Sequence, residues 1–110
     1  MVEITIFTNN KQELVGFEVC GHAGMADKGQ DILCAAISVL VINSIHAIVR
    51  YTDDNPLVEA DEERGLIQCR FDKSVGKDSD LLLKTMILGL ENLEENPEYE
   101  PYMNIIHKEV

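Results

Sequence analysis

A chain of 110 residues with 45% hydrophobic and 26% charged side chains has the makeup of one soluble globular domain, not of a disordered or fibrous polymer. Its formal net charge of −11, from 9 basic against 20 acidic residues, repels phosphate backbones and anionic membranes, so neither direct nucleic-acid binding nor membrane binding is expected, while basic partners are attracted. Three cysteines are an odd number for a disulfide framework, and the N-terminus lacks a basic stretch followed by an apolar one; the expectation is a cytoplasmic protein with reduced thiols.

From Val2 to Thr8 apolar and polar side chains alternate, Asn9-Asn10-Lys11 supplies turn residues, and a second apolar run spans Leu14 to Cys20. This pattern predicts an antiparallel hairpin. Gly21, Gly24 and Gly29 then interrupt regular structure, and helical periodicity begins near Asp31. Asp31 reads as an N-cap, which would put Cys34 at the third helical position. Between Ile32 and about Tyr51 apolar residues cover most of the helix circumference, so burial on more than one side is expected, with a second subunit covering what one sheet cannot. Cys34, Ser38, Asn43, Ser44 and His46 interrupt the run, which favours a core helix over a membrane span.

Asp53-Asp54-Asn55-Pro56 stops that helix, and Leu57 to Ala60 and Leu66 to Phe71 flank the turn Asp61-Glu62-Glu63-Arg64-Gly65 in a second hairpin. Asp78-Ser79-Asp80 offers caps for a second helix, along which Leu82, Leu83, Met86, Ile87, Leu90 and Leu93 recur at helical spacing until Asn96-Pro97. The tail from Met103 to Val110 can add an edge strand. The fold class read from this order is α+β: a two-layer sandwich of β-β-α-β-β-α order, with helices on one face of a largely antiparallel sheet.

The chemistry concentrates where Cys34 follows His22 by twelve positions. An imidazole at a strand end and a thiol near a helix start are the minimum for nucleophilic cysteine catalysis, because the helix dipole and a neighbouring imidazolium both favour thiolate over thiol. In this reading His22 takes the thiol proton and later protonates the leaving amine, and amides of the first helical turn are candidate oxyanion donors. Asp31 either caps the helix or orients His22. Ser38, one turn beyond Cys34 on the same face, either lines the site or bonds a helix carbonyl. The segment 24–29 is a mobile lid over an extended peptide or a tolerated surface loop.

Two other readings compete. Cys20 and His22, sharing a strand face, could join Cys34 as three ligands of a zinc site, although no CxxC pair or second nearby histidine completes it. A non-catalytic module docking on a basic protein would keep its function after Cys34→Ala. Cys69, in a strand, reads as a core residue, and the acidic run at Glu91, Glu94, Glu95, Glu98 and Glu100 as a solvated face.

Gly21-His22-Ala23, Gly29, Asp31-Ile32-Leu33-Cys34-Ala35-Ala36 and Ser38 together resemble the ribosomal-processing cysteine protease family, Prp, over a chain length that also fits. Leu33 stands where valine is commoner in that family. The resemblance implies a homodimeric thiol protease, without cofactor or metal, that removes the N-terminal extension of ribosomal protein twenty-seven of the large subunit. Cleavage is expected after an aromatic pair and before a small residue. It further implies His22 and Cys34 as the catalytic dyad, and Gly21, Asp31 and Ser38 as supports of the site or contacts to substrate.

Overall fold

A computed structural model describes the backbone of residues 1–22 and 27–110 and the side chains of 1–22 and 32–110. Strands β1 (Val2–Thr8) and β2 (Leu14–Cys20) are followed by helix α1 (Asp27–Tyr51). Strands β3 (Leu57–Asp61) and β4 (Leu66–Arg70), helix α2 (Lys77–Glu95), a short 3₁₀ turn and strand β5 (Met103–Glu109) complete the order. The five strands form one sheet in the order β3-β4-β2-β1-β5. All neighbours are antiparallel except β1 and β5, which run parallel. The architecture is the expected α+β sandwich, and the tail is an edge strand.

Alternation explains the sheet. Val2, Ile4 and Ile6 of β1 face inward, as do Phe17 and Val19 of β2, Cys69 of β4 and Met103 of β5; Glu3 and Thr5 face away. At the β1–β2 turn the side chain of Asn9 accepts the N–H groups of Lys11 and Glu13 at 2.9 and 3.0 Å, an Asx-type turn of the kind its residue composition predicts. The helices cover the inward face with period-3.6 stripes: Leu33, Ile37, Val41, Ile45 and Ile48 from α1, and Leu83, Met86 and Leu90 from α2. Cys69 is fully buried among them, and burial pushes its thiol up to about 12, as loss of hydration disfavours the anion.

Two sequence expectations are corrected. Helix α1 begins at Asp27, four residues before Asp31, so Asp31 is interior to the helix and is not its N-cap. Helix α2 has Gly76 at its N-cap with no side-chain cap. The Asp78-Ser79-Asp80 segment lies inside the first turn, and the capping comes from a distant carboxylate: Asp54 accepts the Gly76 N–H at 3.1 Å and the Ser79 hydroxyl at 2.5 Å. That pairing keeps the fully buried Ser79 satisfied and ties the end of α1 to the start of α2. Within the single chain the sheet and α2 cover one side of α1, and Ile32, Val39, Ile42 and Val49 are exposed on the other. By length and composition Ile32–Tyr51 could cross a membrane, yet its inner stripe is sheet-packed core.

Candidate functional site

Strand β2 ends at Cys20, and the next residue, Gly21, takes φ +97°. A Cβ there would meet the Met1 carbonyl oxygen at 2.5 Å, so only glycine lets the chain pass that close to the start of β1. The Gly21 N–H donates to the Arg64 carbonyl at 3.1 Å, fixing the exit of β2 against the β3–β4 turn. His22 follows with its ring exposed, and its Nε2 stands 3.1 Å from the Glu63 carbonyl oxygen. A carbonyl oxygen only accepts, so Nε2 carries the hydrogen and the neutral ring keeps its lone pair at Nδ1.

Cys34 lies on the second turn of α1, half-buried and packed against the core. With Gly21, His22 and Ser38 it lines a cavity of about 360 Å³ between α1 and the sheet. Val2, Val19 and Ile37 form apolar parts of its wall, and the turn residues Asp61, Glu62 and Gly65 stand on its far side. Asp61 is engaged in the turn, its carboxylate accepting the N–H groups of Glu63 and Arg64 at 3.1 and 3.4 Å. The carboxylates of Asp61 and Glu62 make that side of the cavity attractive to cations.

The structure therefore brings four of the five sequence-predicted site residues, Gly21, His22, Cys34 and Ser38, to one cavity. The side chain of the fifth, Asp31, lies outside the described residues, as do Gly24, Met25 and Ala26 of the segment read as a lid or loop; Asp27 to Gly29 of that segment are helical backbone. Because α1 starts at Asp27, Cys34 is its eighth residue and not its third. The helix dipole and the free amides belong to the first turn, so neither reaches Cys34 as the sequence reading expected. His22, which lines the same cavity, is the imidazole placed nearest in the wall to act on the thiol in the reading proposed below.

Cys20 is the last residue of β2 and His22 stands beyond the strand end, so the two do not share a strand face, and Cys20 does not line the cavity. Among the described residues no three His, Cys, Asp or Glu side chains gather as metal ligands. Sequence reasoning missed the contribution of the β3–β4 turn, since the His22–Glu63 contact spans 41 positions. The only local signal was Gly65 at the end of an acidic turn.

Among known proteins, the sequence pattern of the family described as cysteine protease Prp matches residues 1–104. The ribosomal processing cysteine protease Prp of Bacillus subtilis is 29% identical over 100 residues, which make up 87% of this chain and 89% of that protein. The Staphylococcus aureus protein of the same name is 28% identical over 108 residues, 98% of this chain and 100% of its own. A crystal structure of the essential S. aureus protease with a covalently linked product peptide matches with a TM-score of 0.88 at 28% identity, covering 98% of this chain and 100% of that one. A second structure of that protease, with a substrate peptide, matches with the same TM-score at 26% identity and the same coverage.

Proposed function

This chain belongs to the cysteine protease Prp family, and on that premise we propose that it removes the N-terminal extension of ribosomal protein twenty-seven of the large subunit, cutting after an aromatic pair and before a small residue. The observation that carries the reading is that the Cys34 thiol and the His22 imidazole line one cavity next to an acidic turn. The curated relatives are named as ribosomal processing proteases, which supports the choice of substrate. A net charge of −11 suits a basic ribosomal precursor through long-range attraction.

In the proposed mechanism the Cys34 thiol gives its proton to His22 Nδ1 as the sulfur attacks the scissile carbonyl carbon. The tetrahedral intermediate collapses with cleavage of the C–N bond, and the same proton passes from His22 to the leaving amine. A thioester remains. Water then attacks it, His22 takes the water proton and returns it to the departing sulfur, and the product carboxylic acid leaves. No cofactor enters the scheme. Ser38 and Gly21 shape the wall beside the reacting atoms, and Asp31 shares the helix that carries Cys34. The cytoplasm, which keeps thiols reduced, is the compartment in which three free cysteines serve this chemistry.

We also propose a homodimer. The exposed Ile32, Val39, Ile42 and Val49 form an apolar stripe on α1 that a second copy would remove from water. Sedimentation at micromolar concentration is expected to give twice the chain mass, and a monomer would overturn this assignment. For the activity, the purified chain is incubated with a peptide bearing the aromatic-aromatic-small junction and the products are weighed by mass spectrometry. Cleavage at that junction is expected. An intact peptide, with the precursor protein also left uncut, would refute the reading.

A further inference from the structure

The tip of the β3–β4 hairpin is remote from His22 in sequence and closes on it in space. Glu63 holds the ring at Nε2, 3.1 Å from its carbonyl oxygen, and the Arg64 carbonyl accepts the Gly21 N–H at 3.1 Å. The third residue of the run, Gly65, is left-handed at φ +61°, and its N–H donates to the Glu62 carbonyl at 3.2 Å. Glu63 and Arg64 thus hold His22 and Gly21 through their backbone carbonyls, and Gly65 closes the turn beside them.

What permits the grip is the absence of a side chain at the third position. A Cβ at Gly65 would run into the Gly21 carbonyl oxygen and would stand 3.2 Å from Cε1 of His22. Cε1 is the ring carbon bonded to both nitrogens, so pressure on it moves the donor at Nε2 and the acceptor at Nδ1 together. The Gly21 carbonyl is backbone of the residue that feeds His22, and it cannot swing aside without carrying the imidazole with it. Two separate demands therefore fall on position 65. The left-handed turn favours glycine but tolerates asparagine, whereas the close approach tolerates no Cβ at all.

We propose that Gly65 is a positioning residue for His22: its bare Cα lets the hairpin tip close on the ring, so that the Glu63 carbonyl holds Nε2–H and Nδ1 is presented to the cavity lined by Cys34. The proposal rests on His22 acting as the general base. It assigns to Gly65 a part in catalysis that runs through His22, since a base displaced by even about 1 Å loses on the order of 100-fold in rate.

Gly65→Asn separates the two demands, because it satisfies the turn and keeps the offending Cβ. Steady-state cleavage of the junction peptide by wild type and Gly65→Asn is expected to show kcat lowered about 100-fold with KM within about threefold. A variant with kcat within threefold of wild type would overturn the proposal, as Gly65 would then serve the turn alone. Long-range ¹H–¹⁵N NMR of histidine-labelled resting wild type, with His22 assigned by its loss in His22→Ala, reads the ring without any need for turnover or for the variant to fold. Hydrogen on Nε2, with or without a second on Nδ1, is expected, and a ring protonated at Nδ1 alone would equally overturn the proposal. Absence of cleavage by wild type would instead count against the proteolytic reading, leaving the NMR result to judge the positioning.

Discussion

Cys34→Ala is expected to lower turnover of the junction peptide by at least about 10⁴-fold, with peptide binding retained. The sulfur is the atom that forms the covalent intermediate, so its removal leaves no low-barrier route to the acyl-enzyme. Ser38 lies on the same wall one helical turn away, but a hydroxyl there is a far weaker nucleophile and does not rescue the reaction. His22→Ala is expected to cost about 10²–10⁴-fold, the range for loss of one general acid–base group. It should fall toward the upper end, because the start of α1 at Asp27 removes the helix N-terminus as an alternative source of thiolate stabilisation. Steady-state kinetics on both variants check the pair, and a Cys34→Ala protein with more than a tenth of wild-type kcat would contradict the assignment of the nucleophile.

Phe17→Ala is expected to destabilise the fold by about 3–5 kcal/mol, the range for truncating a buried aromatic residue. Phe17 is 1% exposed and stands in register between Ile6 of β1 and Cys69 of β4, so its ring belongs to the central part of the buried core. A domain of this size commonly has about 5–15 kcal/mol in total, so the variant would sit near the edge of folding. Because Val19, two residues further along the same face, walls the cavity, loss of the ring also loosens the floor of the site. Urea denaturation measures the change, and a loss below about 1 kcal/mol would contradict the placement of Phe17 in the core.

The strands were legible because alternation has period 2 and one face is buried: Val2–Thr8 and Leu14–Cys20 follow directly from where the apolar residues fall. Both helix starts differ from the pattern for a common reason: a polar residue at a plausible position is not the local cap in either helix. Gly29 reads as a breaker in the sequence, yet a glycine within a helix costs only about 1 kcal/mol, and α1 runs through it to Asp27. At α2 the capping carboxylate is Asp54, 22 positions before Gly76, a partner that only tertiary structure supplies. The same limit applies to the site. His22 and Cys34 are close enough in sequence to be read as a pair, whereas the turn that holds His22 is joined to it by contacts spanning some forty residues, for which no short-range pattern exists. The exposed apolar stripe of α1 was legible as an excess of apolar residues over what one sheet can cover.

Alkylation of Cys34 by iodoacetamide at pH 7, followed by peptide mass spectrometry in wild type and in His22→Ala, measures whether the imidazole makes the thiol reactive. Thiolate is the reacting species, so removal of the ring is expected to slow labelling of Cys34 at least about tenfold. Cys20, half-buried and away from the cavity, should react at one rate in both proteins. Cys69, whose thiol is pushed up to about 12 by burial, should stay unlabelled while the fold is intact. Equal rates at Cys34 with and without His22 would show that the two side chains do not work as a pair.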